Sequence, residues 1–194
     1  MEMNGKLLVF EGLDGVGKTI QIDLLKTKFP GALIFKYPTR NTPELNDYLE
    51  KKIEIEPKEL FKLFLADIRK EQEKILAALQ TKKFVILDRY VFSTIAYETI
   101  GGYPYEDGKR EVAKMGFIVP DAVLLLDIPS SVSQERKRKQ KQLDRYEENA
   151  EYLEKVRERF LQLVKDKFLT PNWHKVDATK SISDVHREIM ELLK

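Results

Sequence analysis

The stretch that most constrains this chain is Gly12-Leu13-Asp14-Gly15-Val16-Gly17-Lys18-Thr19. Before it lies Lys6–Phe10, a near-continuous apolar run that reads as a strand buried on both faces. After it comes Gln21–Phe29, where Ile22, Leu24, Leu25 and Phe29 fall near one face at helical spacing. A buried strand therefore turns into a helix through three glycines. Glycines let the backbone curl until successive N–H groups point inward, and a helix starting near Lys18 aims its positive dipole end at the same place. The spacing fits G-x-x-x-x-G-K-[ST], the phosphate-binding loop or P-loop. Its amides suit phosphate oxygens, the Lys18 ammonium suits β- and γ-phosphates, and the Thr19 hydroxyl suits Mg²⁺. All eight residues, Gly12 to Thr19, are thus the expected nucleoside triphosphate site.

Four more short apolar runs recur: Ala32–Tyr37, Phe84–Leu87, Ala122–Leu126 and Trp173–Val176. Charged segments of helical period separate them, chiefly Lys58–Gln80, Glu151–Phe168 and Ser183–Leu193, the last with Ser183 as N-cap. Strand–helix alternation predicts a five-stranded parallel sheet with helices on both faces, the three-layer α/β/α architecture of P-loop NTPases. Gly101–Gly116 reads as the longest irregular stretch and Gln134–Asn149 as the most charged, a candidate short lid. No linker or repeat interrupts the 194 residues, so a single domain over 1–194 is expected. A net charge of +2 leaves no global field for nucleic acid or a membrane surface. There is no cysteine, no run of 18 apolar residues and no secretory signal in MEMNGKLLVF, which together indicate a cytoplasmic protein.

Sheets of this kind bind ligands beyond the carboxyl ends of their strands. Those ends carry Asp14, then Tyr37-Pro38-Thr39-Arg40, then Asp88-Arg89-Tyr90. Arginine forks suit phosphate oxygens, and carboxylates suit sugar hydroxyls or magnesium. A guanine-reading N-K-x-D segment is missing and the chain is short for a motor ATPase, which leaves a small kinase acting on a small molecule.

At these residues the chain resembles the thymidylate kinase family over nearly its whole length. FEGLDGVGKT at 10–19 looks like the family's P-loop with its acidic residue, and YPTR at 37–40 like its aromatic-Pro-x-Arg. LFLAD at 63–67 resembles the base-stacking segment, and DRYVFSTIAY at 88–97 the D-R-[YHW]-x-x-S-x-x-A-[YF] signature. LDRYEEN at 143–149 is similar to the end of the lid, and NWHKVDATKSISDVHREI at 172–189 to the last strand and helix. The resemblance implies a homodimer that phosphorylates dTMP with ATP and Mg²⁺. It implies that Asp14 contacts the 3′-hydroxyl, that Arg40 and Arg89 hold the dTMP phosphate, and that Arg89 touches both substrates. It places Phe64 on the thymine ring, Tyr37 in the same pocket, Ser93 at the base edge and Tyr97 beside the sugar 2′ position. Asp88 would organise Mg²⁺ through water, and Tyr146 would close over the nucleotide.

The basic run at 136–141 admits three readings: a solvated face, a nucleic-acid patch, or a lid that brings arginines to the γ-phosphate. Gly15 stands where some family members carry a P-loop arginine, which favours the lid, with Arg136 and Arg138 as donors. A further lid arginine of the family is Gln140 here. The base-contacting arginine four residues after the stacking phenylalanine is Ile68, with Arg69 next along as its candidate substitute, and the glutamine after Ala-Tyr is Glu98. Both departures touch base recognition, so relaxed base choice, for instance turnover of dUMP, stands as an alternative. A nucleotide-dependent switch is the other.

Overall fold

The computed structural model describes residues 5–138 and 149–193. In chain order the elements are β1 (Lys6–Glu11), α1 (Lys18–Lys28), β2 (Leu33–Lys36), α2 (Pro43–Leu49), α3 (Pro57–Arg69), α4 (Gln72–Thr81) and β3 (Phe84–Asp88). They continue as α5 (Val91–Glu98), α6 (Tyr105–Met115), β4 (Ala122–Asp127), α7 (Ser130–Arg138), α8 (Ala150–Asp166), β5 (Trp173–Asp177) and α9 (Ile182–Leu192). The five strands form one all-parallel sheet in the order β2-β3-β1-β4-β5.

Burial explains the order. The near-continuous apolar strands β1, β3 and β4 fill the centre, where Val9, Phe10, Leu87 and Leu124 are fully buried. Each such side chain contributes about 1.5–3 kcal/mol. The edge strands are less apolar: Leu33 on β2 is exposed, and β5 alternates from buried Trp173 to exposed Lys175. Register then positions chemistry. Phe10 pairs with Asp88, and Lys36 also pairs with Asp88, so β1, β2 and β3 end together. Glu11, Lys36 and Asp88 share one rim.

Three expectations need correction. Lys58–Gln80 is two helices, α3 and α4. Neither glycine nor proline marks the break, and apolar spacing runs through it from Ile68 to Ile75. A tertiary contact sets it instead: the Gln72 Oε1 accepts from the Tyr90 hydroxyl at 2.9 Å and from Ile118 N–H at 3.0 Å. Gly101–Gly116 holds a helix, α6, rather than a long loop. Gly108 weakens its helical signal, but a Cβ there would stand 3.2 Å from the Phe61 ring, so the glycine is what lets α6 pack on α3. The N-cap of α9 is Ser181, whose side chain accepts from Asp184 N–H, not Ser183.

Candidate active site

The strand-to-helix turn delivers Lys18 as the first residue of α1. Its ammonium is buried and donates to the carbonyls of Gly12 at 2.9 Å and Leu13 at 2.8 Å. Burial pulls its pKa down to about 8, with Arg89 acting in the same direction and Asp14, Asp88 and Glu11 opposing. Thr19 follows, exposed. Asp88, the last residue of β3, is buried; its Oδ2 lies 3.0 Å from the Lys36 ammonium, and its Oδ1 has no hydrogen-bond partner.

Arg89 joins this loop to α5. Its backbone is left-handed, with φ 72°, and its N–H donates to the Phe10 carbonyl at 2.9 Å. One terminal nitrogen donates to Ser93 Oγ at 2.9 Å and to the Gly12 carbonyl at 3.2 Å. The other donates to Asp14 Oδ2 at 2.9 Å and reaches the Tyr97 hydroxyl at 3.5 Å. Burial opposes the guanidinium charge, but Asp14, Tyr97, Glu11 and Asp88 outweigh it and hold Arg89 firmly protonated. Glu11, fully buried at the end of β1, accepts from Tyr90 N–H, Ser93 N–H and the Ser93 hydroxyl. Burial pushes its carboxyl up to about 7 against the pull of Arg89, Ser93 and Lys18.

Beside this network lies a cavity of about 430 Å³. Asp14, Arg89, Ser93 and Tyr97 form one wall; Lys36, Tyr37, Thr39 and Arg40 form another; Phe64, Asp67 and Ile68 come from α3, Thr94 and Glu98 from α5. The loop carrying Arg40 is tied down by Asp67, which accepts from Thr39 N–H at 2.7 Å, the Thr39 hydroxyl at 2.5 Å and the Thr42 hydroxyl at 2.9 Å. Arg40 is exposed at the mouth, with φ 61°, and the buried Tyr37 hydroxyl has no hydrogen-bond partner. The glycine turn that carries Lys18 and a pocket lined by an aromatic ring and arginines thus share Arg89 as a common wall.

The family model for thymidylate kinase matches residues 10–189, taking in every residue of this rim. The chain belongs to the thymidylate kinase family. It is 33% identical to the thymidylate kinase of Thermoanaerobacter sp. strain X514, over 99% of this chain and 98% of that one. To the probable thymidylate kinase of Methanocaldococcus jannaschii it is 32% identical, over 99% and 97%. The solved thymidylate kinase of Candida albicans superposes with a TM-score of 0.84 at 29% identity, covering 100% of this chain and 92% of that one.

Within this member of the family, Asp14, Tyr37, Arg40, Phe64, Arg89, Ser93 and Tyr97 all line the one cavity. Arg69 does not. It lies outside the cavity wall, donates to the Met115 carbonyl at 2.6 Å at the end of α6, and its guanidinium sits 5.9 Å from the Phe117 ring. One residue is about 100° of helix, and Ile68 takes the inward position. Ser93 lines the cavity, but its hydroxyl faces Glu11 and Arg89 rather than a base edge. Arg136 donates to the Ala178 carbonyl at 3.1 Å, beyond β5, and Arg138 ends α7, exposed. Tyr146, Gln140 and most of the lid expected over 134–149 lie outside the described residues. Sequence reasoning missed Glu11, Lys36, Asp67 and Ser133. Lys36 stood last in its strand and was readable; the others declare themselves only through contacts, as when Ser133 Oγ donates to the Asp14 carbonyl at 2.6 Å.

Proposed function

We propose that this chain transfers the γ-phosphoryl group of ATP to dTMP, giving dTDP and ADP. The observation that carries the reading is Arg89, one guanidinium bonded at once to the P-loop through Asp14 and Gly12 and facing the cavity that also holds Arg40 and Phe64. Phosphoryl transfer needs positioning and charge neutralisation more than covalent chemistry. Lys18 exchanges its two carbonyl partners for the β- and γ-phosphates. Arg40 and Arg89 hold the dTMP phosphate in line. Phe64 stacks on thymine, and Tyr37 packs in the same pocket. Asp14, whose carboxylate has room for several donors, takes the 3′-hydroxyl. Tyr97 crowds the 2′ position and excludes ribose. Arg136 and Arg138 on α7 are the candidate γ-phosphate donors, Arg136 giving up its bond to the Ala178 carbonyl to serve.

Mg²⁺ fits the donor set: Asp88 offers a buried oxygen with no hydrogen-bond partner, and Thr19 an exposed hydroxyl. That cation is usually held by one or two carboxylates plus substrate phosphates. Among the described residues no cluster of three or more His, Cys, Asp or Glu that could hold a metal occurs. Bound there, it would neutralise charge on the β- and γ-phosphates. The family resemblance also supports a single kinase domain over 1–194 acting as a cytoplasmic homodimer. Among the described residues no helix is long and apolar enough to cross a membrane.

The test is ADP release from ATP and Mg²⁺ with dTMP, dUMP, dCMP, dGMP, AMP and thymidine offered separately. Strong preference for dTMP is expected. Nucleotide binding without acceptor-dependent ADP would restore the switch reading.

A further inference from the structure

We propose that Glu11 is a positioning residue for phosphoryl transfer, acting through the Ser93 hydroxyl to aim the Arg89 guanidinium. The proposal rests on the kinase reading above. Glu11 is fully buried and lines no part of the cavity, so it is not a ligand of either substrate. A buried carboxylate is costly unless each oxygen is hydrogen-bonded. Both are: Oε1 accepts from Tyr90 N–H at 2.9 Å and Ser93 N–H at 3.2 Å, and Oε2 accepts from the Ser93 hydroxyl at 2.5 Å.

Capping those two amides needs only one oxygen, which a neutral side chain would supply. The second oxygen explains the charge. An ionised carboxylate accepts and never donates. Above about pH 7, where the Glu11 carboxyl is ionised, the Ser93 proton is therefore committed to Glu11, and the lone pairs of Ser93 Oγ are left for Arg89 Nη1, 2.9 Å away. The direction of each bond in this relay follows from the one before it. Glu11 also grips the turn on the far side of Arg89: the left-handed backbone at Arg89 is followed directly by Tyr90, whose N–H Glu11 holds. One buried residue on β1 thus controls both the backbone and the side chain of the arginine shared by the two substrate sites.

Glu11→Gln tests this. The amide keeps Oε1 for the two backbone N–H groups but turns an NH₂ toward Ser93. Ser93 Oγ must then accept from Gln, its own proton loses its acceptor, and Arg89 gains a competitor. The unmutated chain, Glu11→Gln, Ser93→Ala and the double variant are compared in dTMP-dependent ADP formation and thermal melting. A misaimed group costs on the order of 10²-fold in kcat. That loss is expected for Glu11→Gln, with KM for ATP and the melting temperature little changed, and with the double variant no slower than Ser93→Ala alone. Wild-type kcat in Glu11→Gln, or losses that multiply in the double variant, would overturn the proposal. Should Glu11→Gln not fold, Ser93→Ala decides alone, because it leaves both backbone N–H bonds to Glu11 in place: wild-type kcat there refutes the relay. Failure of the unmutated chain to phosphorylate dTMP is a distinct result, which overturns the kinase reading and this proposal with it.

Discussion

Two glycines of the P-loop should fail differently when replaced by alanine. Gly12 has φ +131°, and a Cβ there would lie 2.4 Å from the backbone carbonyl oxygen of Leu126 and 3.3 Å from Val16 Cγ2. Leu126 belongs to β4, the strand hydrogen-bonded to β1, so neither side of that contact can yield without moving the central sheet. Gly17 has φ +97° and ψ 16°, and a Cβ there would meet no atom within 4 Å. Gly17→Ala therefore carries only the left-handed penalty, roughly 1–2 kcal/mol. Gly12→Ala carries a backbone penalty of about 1–3 kcal/mol and an overpacking penalty of about 1–3 kcal/mol. A chain of this size loses roughly 2–4 °C of melting temperature per kcal/mol. Gly12→Ala should thus melt well below Gly17→Ala, which should stay within several degrees of the unmutated chain. Stability and activity should part in Gly17→Ala: a methyl in the turn proposed to cradle phosphate hinders phosphate approach, so the folded variant should show little turnover. Circular-dichroism melts and the ADP assay check both. Equal melting of the two variants, or a less stable Gly17→Ala, would refute the steric reasoning; wild-type turnover in Gly17→Ala would refute the cradle.

Three further outcomes are expected. Phosphates favour the charged form of the Lys18 ammonium, which is held down to about 8 by burial and Arg89, so nucleotide binding near pH ~8.5 should take up protons. Titration calorimetry in two buffers of different ionisation enthalpy should show this uptake in the unmutated chain and not in Lys18→Met; equal results in both proteins would refute it. Asp67→Asn should loosen the loop that carries Arg40 and raise KM for dTMP roughly tenfold, the effect of about 1.4 kcal/mol, leaving KM for ATP alone; steady-state kinetics that moved only the ATP term would contradict the clamp. Arg69→Ala should lower stability by about 1 kcal/mol or less, the net worth of one hydrogen bond, and leave the ratio of dTMP to dUMP turnover unchanged; a collapse of that ratio would return Arg69 to the base pocket.

The sequence made the donor side legible because its signals are local. A strand, three glycines, a lysine and a helix are adjacent in the chain, so Gly12–Thr19 could be read as a unit. From the residues alone, the acceptor side was legible only at and just past strand ends, with Arg40 beyond β2, Asp88 closing β3 and Arg89 following it. Helix phase decided the rest: Ile68 and Arg69 differ by one position and about 100°, which put Ile68 on the cavity wall and Arg69 on α6. The α3–α4 break was illegible for a related reason. Gln72 sets it by bonding to Tyr90 and Ile118, distant in sequence, and a polar residue at one helix position carries no sign that its partner lies elsewhere. Glu11 was hidden in a different way. It stands at the end of an apolar run, directly before the P-loop motif, where its side chain looks incidental until its three donors are seen.

These buried charges also suggest how the site can be stable before substrates arrive and yet release its cations to them. Arg89 makes four contacts of unequal quality: 2.9 Å to Ser93, 2.9 Å to Asp14, 3.2 Å to Gly12 and 3.5 Å to Tyr97. The two short ones go to groups that are themselves fixed, Ser93 by Glu11 and Asp14 through its carbonyl by Ser133. The two long ones go to a neutral carbonyl and a neutral hydroxyl, which hold a guanidinium far less strongly than a phosphate does. Substrate phosphates can displace the long contacts without disturbing the short ones. Lys18 has the same design, since both of its partners are carbonyls of the loop it serves. Arg89 keeps the carboxylate and the hydroxyl that aim it, and in both cases the partner given up is neutral. Binding then exchanges weak contacts for strong ones at fixed geometry, the condition under which preorganised charge lowers a barrier.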